Sequence, residues 1–68
     1  MNDETLNMSI RKFLKTVGVN SQLAIEKAVR HELEQGTMKG GETMPVQMTL
    51  VVDRLKLNIK FDGELRLE

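Results

Sequence analysis

The apolar residues of this chain change their period near its middle, and that change limits the folds open to it. Up to about Gln35 they recur at helical spacing, and from Met44 onward they alternate one in, one out. A helical period followed by a strict period of two reads as amphipathic helix followed by antiparallel sheet. The pattern predicts an α+β domain of order ααβββ. Two N-terminal helices, about residues 3–17 and 21–35, form a helix hairpin. They pack on one face of a three-stranded antiparallel meander with strands at about 43–52, 55–61 and 64–68. A chain of 68 residues has room for one small domain, 1–68, and no more.

The helical half carries start and stop signals. Asn2 or Asp3 can cap the first helix, and Asp3 and Glu4 suit the positive end of its dipole. Leu6, Ile10, Phe13, Leu14 and Val17 then fall within an arc of about 100°. Gly18 reads as a left-handed stop. Val19 leads to Asn20 and Ser21, either of which can cap a second helix. Ile25, Ala28, Val29 and Leu33 form its stripe, Glu26–Arg30 and Arg30–Glu34 are i,i+4 pairs on its outer face, and Gly36 ends it. Gly36 to Glu42, with Gly40 and Gly41, reads as a loop leading to the sheet.

Parity arranges the strands. Met44, Val46, Met48, Leu50 and Val52 share a face, as do Leu55, Leu57, Ile59 and Phe61, so the first loop must hold an even number of residues. Asp53-Arg54 meets that condition and pairs Val52 with Leu55, although arginine suits the second turn position poorly and a wider even loop in the same register also fits. Asp62-Gly63 signals a second turn. A three-residue loop Phe61-Asp62-Gly63 would pair Lys60 with Glu64 and Ile59 with Leu65. The first strand then lies at an edge. Residues 43–52 carry no charge and only Pro45 protects them, which invites pairing with another chain.

Composition excludes several classes. Cysteine is absent, so neither disulfides nor thiolate metal sites exist, and a reducing cytoplasm is the expected compartment. No apolar run approaches the ~20 residues of a membrane span. The Met1-Asn2-Asp3-Glu4 start is acidic where a signal peptide is basic. Ten basic side chains balance ten acidic ones, without the basic excess of a typical nucleic-acid binder.

Chemistry-bearing residues are few. His31, the single histidine, lies on the helix wheel away from Ile25 and Leu33 with no orienting carboxylate or nucleophile, and reads as a solvated surface residue. Glu32 falls inside the apolar stripe, where a buried carboxylate would be a functional candidate. A place in the last turn, past the edge of the core, is the simpler account. Gly36-Thr37-Met38-Lys39-Gly40-Gly41 lacks the Gly-Lys-Ser/Thr ending of a phosphate loop. Gly18-Val19-Asn20-Ser21 looks like the turn of a DNA-binding helix-turn-helix, but Ala24 and Lys27 stand where that motif needs packing residues. Phe13 and Phe61, the two aromatics, are claimed by the core rather than by RNA bases. No catalytic, cofactor-binding or metal-binding residue is assigned, and no cofactor is expected.

The run Asn7-Met8-Ser9-Ile10-Arg11-Lys12-Phe13-Leu14-Lys15-Thr16-Val17-Gly18-Val19, followed by Ser21-Gln22 and Ile25-Glu26-Lys27-Ala28-Val29-Arg30, resembles a family of very short bacterial proteins known as a domain of unknown function. Gly41 to Pro45 is similar too. The resemblance implies a bacterial, cytoplasmic protein and carries over no activity or site.

The expected function is therefore a small non-enzymatic interaction module that self-associates, with a homodimer as the first partner and an unidentified protein as another. Its candidate surfaces are the edge residues Thr43, Pro45, Gln47, Thr49 and Val51, and the helix face of Met8, Arg11, Lys12 and Lys15. The alternative is a nucleic-acid or anionic-surface binder that uses the same basic helix face.

Overall fold

The computed structural model describes the whole chain, residues 1–68. It contains one α-helix, α1 (Asp3–Gln35), then strand β1 (Thr43–Val52), a 3-10 turn (Asp53–Leu55) and strand β2 (Leu57–Arg66). The class is α+β, but the expected two helices and three strands are replaced by one helix and a two-stranded antiparallel sheet. The chain divides into two compact units, Met1–Thr37 and Met38–Glu68.

In the first unit, α1 begins where the sequence says it should. The Asn2 side chain accepts a hydrogen bond from the Thr5 N–H at 3.1 Å, and Asp3 and Glu4 occupy the first turn. It also ends where expected. Gly36 takes the left-handed conformation at φ 77°, its N–H donates to Leu33 O at 3.2 Å, and the Thr37 N–H donates to Glu32 O at 3.1 Å. These are the two bonds of a Schellman motif, which satisfy carbonyls that the helix end would otherwise orphan.

The error lies at Gly18, which is not a stop. The helix runs through Gly18-Val19-Asn20-Ser21 without a break. A glycine inside a helix costs about 1 kcal/mol relative to alanine, which penalises a long helix without breaking it. Asn20, one of the two residues that resembled caps, uses its side chain along the helix instead, as does Thr16 before it. Thr16 Oγ1 donates to Lys12 O at 3.1 Å and Asn20 Nδ2 donates to Thr16 O at 2.9 Å. A capping residue can equally back-bond to the preceding turn, and without a proline nothing forces the chain to leave the helix.

In the second unit, β1 occupies the residues expected of it, and β2 replaces the two remaining expected strands. The register pairs Met44 with Leu65, Val46 with Gly63, Met48 with Phe61, Leu50 with Ile59 and Val52 with Leu57. One face of the hairpin is thus wholly apolar, apart from Gly63. The opposite face pairs Thr43 with Arg66, Pro45 with Glu64, Gln47 with Asp62, Thr49 with Lys60 and Val51 with Asn58.

Two turn expectations need correction. The first loop is four residues, Asp53 to Lys56, not the pair Asp53-Arg54. It keeps the even parity and shifts the pairing by two residues, so every strand side chain keeps its face. A two-residue hairpin turn of the favoured type I′ needs positive φ at both positions. The wider loop confines positive φ to Lys56, at 54°, whose N–H donates to Asp53 O at 3.0 Å. Its consequence is that Leu55 leaves the sheet for the turn and is 71% exposed.

The second expected turn is absent, because Phe61, Asp62 and Gly63 lie inside β2. Gln47 Nε2 donates to Asp62 Oδ1 at 3.0 Å across the strands. A Cβ at Gly63 would stand 3.3 Å from Val46 Cγ1, so glycine here gives room to the facing valine. A single strand pairs β1 over its whole length, whereas a turn at 61–63 would divide β2 into two short pieces.

No side chain of either unit is buried. Leu6, Ile10, Phe13 and Leu14 on α1, and Met48, Ile59 and Phe61 on the apolar face of the hairpin, were expected in a core. All seven are between 41% and 55% exposed.

Candidate functional site

The expected helix surface is a single face of α1. Met8, Arg11, Lys12 and Lys15 fall within an arc of about 100° at helical spacing. All four side chains are exposed, Met8 at 71%. None of the three cations forms an ion pair, the two ion pairs of the chain being Arg30–Glu26 at 3.4 Å and Arg66–Glu64 at 3.9 Å. The same arc holds Glu4 about two turns before the cluster and Glu26 about three turns beyond it, and the three cations themselves span little more than one turn.

The expected sheet surface is β1. Thr43, Pro45, Gln47, Thr49 and Val51 are all exposed and share the polar face. Backbone polarity adds to this. The Leu67 N–H donates to Glu42 O at 3.1 Å, and these two residues face each other in the observed register. Hydrogen-bonded and non-hydrogen-bonded pairs alternate along an antiparallel ladder. Met44, Val46, Met48, Leu50 and Val52 therefore spend their backbone groups on β2. Thr43, Pro45, Gln47, Thr49 and Val51 aim theirs at the open side. Pro45 thus sits where its missing N–H costs the hairpin no bond.

Neither of the other chemical candidates assembles a reaction site. His31 is exposed and shares a shallow surface recess of about 280 Å³ with Lys27, Arg30 and Glu34. A second recess, about 460 Å³, is lined by Asp3, Glu4, Asn7 and Met8. In both, every lining residue belongs to α1, so no second element closes over a ligand. Glu32 is half-buried and has a structural partner: the Thr37 hydroxyl donates to its carboxylate and also to its carbonyl oxygen, the latter at 3.0 Å. The carboxylate in the apolar stripe thus secures the end of α1.

Glu42 does similar work in the connection, where its Oε1 accepts the Lys39 and Gly40 N–H groups at 2.6 and 3.0 Å. No group of three or more histidine or acidic side chains is placed to hold a metal ion. No helix is long and apolar enough to cross a membrane.

Sequence reasoning did not foresee that the apolar residues of the helix stripe and of the hairpin face stand half-exposed. It assigned Phe13 and Phe61 to a common core. The expectation of self-association agrees with the arithmetic that a chain this short, without disulfide or metal, commonly completes its core by oligomerisation.

No curated protein and no solved structure matches the chain. One protein-family model does, over residues 1–68, and it carries no assigned activity. The chain therefore belongs to the family of unknown function DUF6494.

Proposed function

We propose that this protein is a non-enzymatic interaction module that acts as a homo-oligomer, with the dimer as its smallest working form. One observation carries the reading: the chain buries no side chain while presenting large apolar residues on one stripe of α1 and on one face of the hairpin. Monomeric proteins rarely leave such patches to water. An isolated two-stranded hairpin is marginal in water, so a covering surface also stabilises the second unit. A reducing cytoplasm suits a chain without cysteine.

Size-exclusion chromatography with light scattering, over a hundredfold range of concentration, tests this. Twice the chain mass, or a higher multiple, is expected at the upper end. A strict monomer throughout overturns the proposal.

A further inference from the structure

The self-association just proposed leaves open which surface meets which, and the two open edges of the hairpin differ in a way that answers part of this. We propose that a second copy of this chain adds antiparallel to the open edge of β1, on a two-fold axis through Thr49, to form a continuous four-stranded sheet of order β2-β1-β1-β2. The inference rests on the self-association reading and specifies its geometry.

The open edge of β2 is guarded. By the same alternation, the residues that aim backbone groups outward there are Asn58, Lys60, Asp62, Glu64 and Arg66, and four of those five are charged. Charged side chains along an edge oppose addition of another strand. The corresponding residues of β1 carry no charge, and its open N–H and C=O groups lie in a run from Gln47 to Val51. Pro45 is the only obstacle, because it offers a carbonyl and no donor.

Pro45 also sets the register. Centred on Thr49, the two copies pair Gln47 with Val51 of the partner subunit, Thr49 with the partner's Thr49, and Val51 with the partner's Gln47. All three are hydrogen-bonded pairs, and Pro45 lies beyond them. Moving the axis to Met48 sets Pro45 opposite the partner's Val51 and leaves the Val51 carbonyl without a donor.

The Thr49 register has a further result. Residues directly opposite in a ladder point to the same side of the sheet. Met48 thus meets the partner's Leu50 on the apolar side, and the two apolar faces join into one. That joined face carries Phe61 and Ile59 from each copy.

The native chain has no cysteine, so single cysteines report the register directly. A hydrogen-bonded antiparallel pair has Cα atoms about 5.5 Å apart, within the ~4.4–6.8 Å that a disulfide spans. Full-length Thr49→Cys, Gln47→Cys, Val51→Cys and Asn58→Cys are oxidised by glutathione disulfide and followed on non-reducing gels, with light scattering on the same samples. Thr49→Cys is expected to link to itself at least about tenfold faster than Asn58→Cys, an exposed position on the guarded strand, because paired sites see each other at high effective concentration. Gln47→Cys and Val51→Cys are expected to link to each other in a mixture and not to themselves. If the variants are dimeric by light scattering but Thr49→Cys links no faster than Asn58→Cys, the edge pairing is wrong while self-association stands. If every variant and the native chain are monomeric, both fall together.

Discussion

The helix and the hairpin solve the same backbone problem by opposite means. Within α1 each interior N–H finds its acceptor four residues away, and the ends are closed by Asn2 at one side and by Gly36 and Thr37 at the other. The first unit thus meets its hydrogen-bonding needs from its own local sequence. In the hairpin each strand satisfies half of its backbone groups on the other strand and leaves half open. The difference teaches where a partner matters most. A helix with an exposed stripe loses packing energy, whereas a two-stranded sheet with an exposed face and two open edges lacks both packing and bonds.

The sharpest way to break this comparison is to spoil the apolar face of the hairpin. Phe61, 55% exposed and opposite Met48, is the bulkiest residue there. Placed in an interface it is an anchor, and truncation of such anchors costs about 2–4 kcal/mol, roughly 30- to 1,000-fold in dissociation constant. Phe61→Asp is expected to yield a monomer in light scattering and to reduce the strand signal in circular dichroism. If it associates as tightly as the native chain, this face is not covered by a partner and the hairpin stands alone.

The two glycines of the first unit sharpen the comparison from the helical side, with opposite signs. Gly36 holds φ 77°, where a Cβ is disfavoured. Gly36→Ala is expected to lower stability by about 1–2 kcal/mol. Gly18 is helical, and a Cβ added there meets nothing within 4 Å. Gly18→Ala is expected to raise stability by about 0.5–1 kcal/mol and to increase helical ellipticity. Thermal melts of the pair separate a continuous helix from a helix hairpin. A left-handed stop at Gly18 would make both substitutions destabilising.

Those glycines also mark how far the sequence could be read. Both precede a residue that can continue or leave a helix. At Gly36 the next polar group, Thr37, turns back on Glu32, and at Gly18 the nearby Asn20 reaches back to Thr16. The same residue types therefore serve a terminus in one place and an interior in the other, and local pattern cannot choose between them. In the sheet, parity gave the correct facial assignment of Met44 to Val52 and of Leu57, Ile59 and Phe61, because face depends only on alternation. It could not supply the loop length, since four residues satisfy parity as well as two do. The turn signal at Asp62-Gly63 failed because Gly63 has another use opposite Val46. The candidate surfaces on Met8 to Lys15 and on Thr43 to Val51 were legible as exposed, since both follow from period alone. That the supposed core residues are exposed too was not, because exposure depends on packing across the chain and between copies.

The smallest expected effect concerns the basic helix face and bounds the comparison from its other end. Arg11, Lys12 and Lys15 are exposed and unpaired, and like-charge neighbours at i,i+4, such as Arg11 and Lys15, oppose a helix by a few tenths of a kcal/mol. Replacing Lys12 and Lys15 together by glutamate is expected to change stability by less than about 0.5 kcal/mol and to leave the proposed self-association intact, since the apolar stripe lies elsewhere on the helix. Mixed DNA and RNA at low salt provide the discriminating assay. The interaction-module reading expects no retardation by either protein, because the three cations span little more than one turn, with Glu4 and Glu26 on the same arc to either side, and the net charge of the chain is zero. Retardation by the native chain that the double variant loses would assign this face to a polyanion and make α1, rather than the hairpin, the unit that carries recognition.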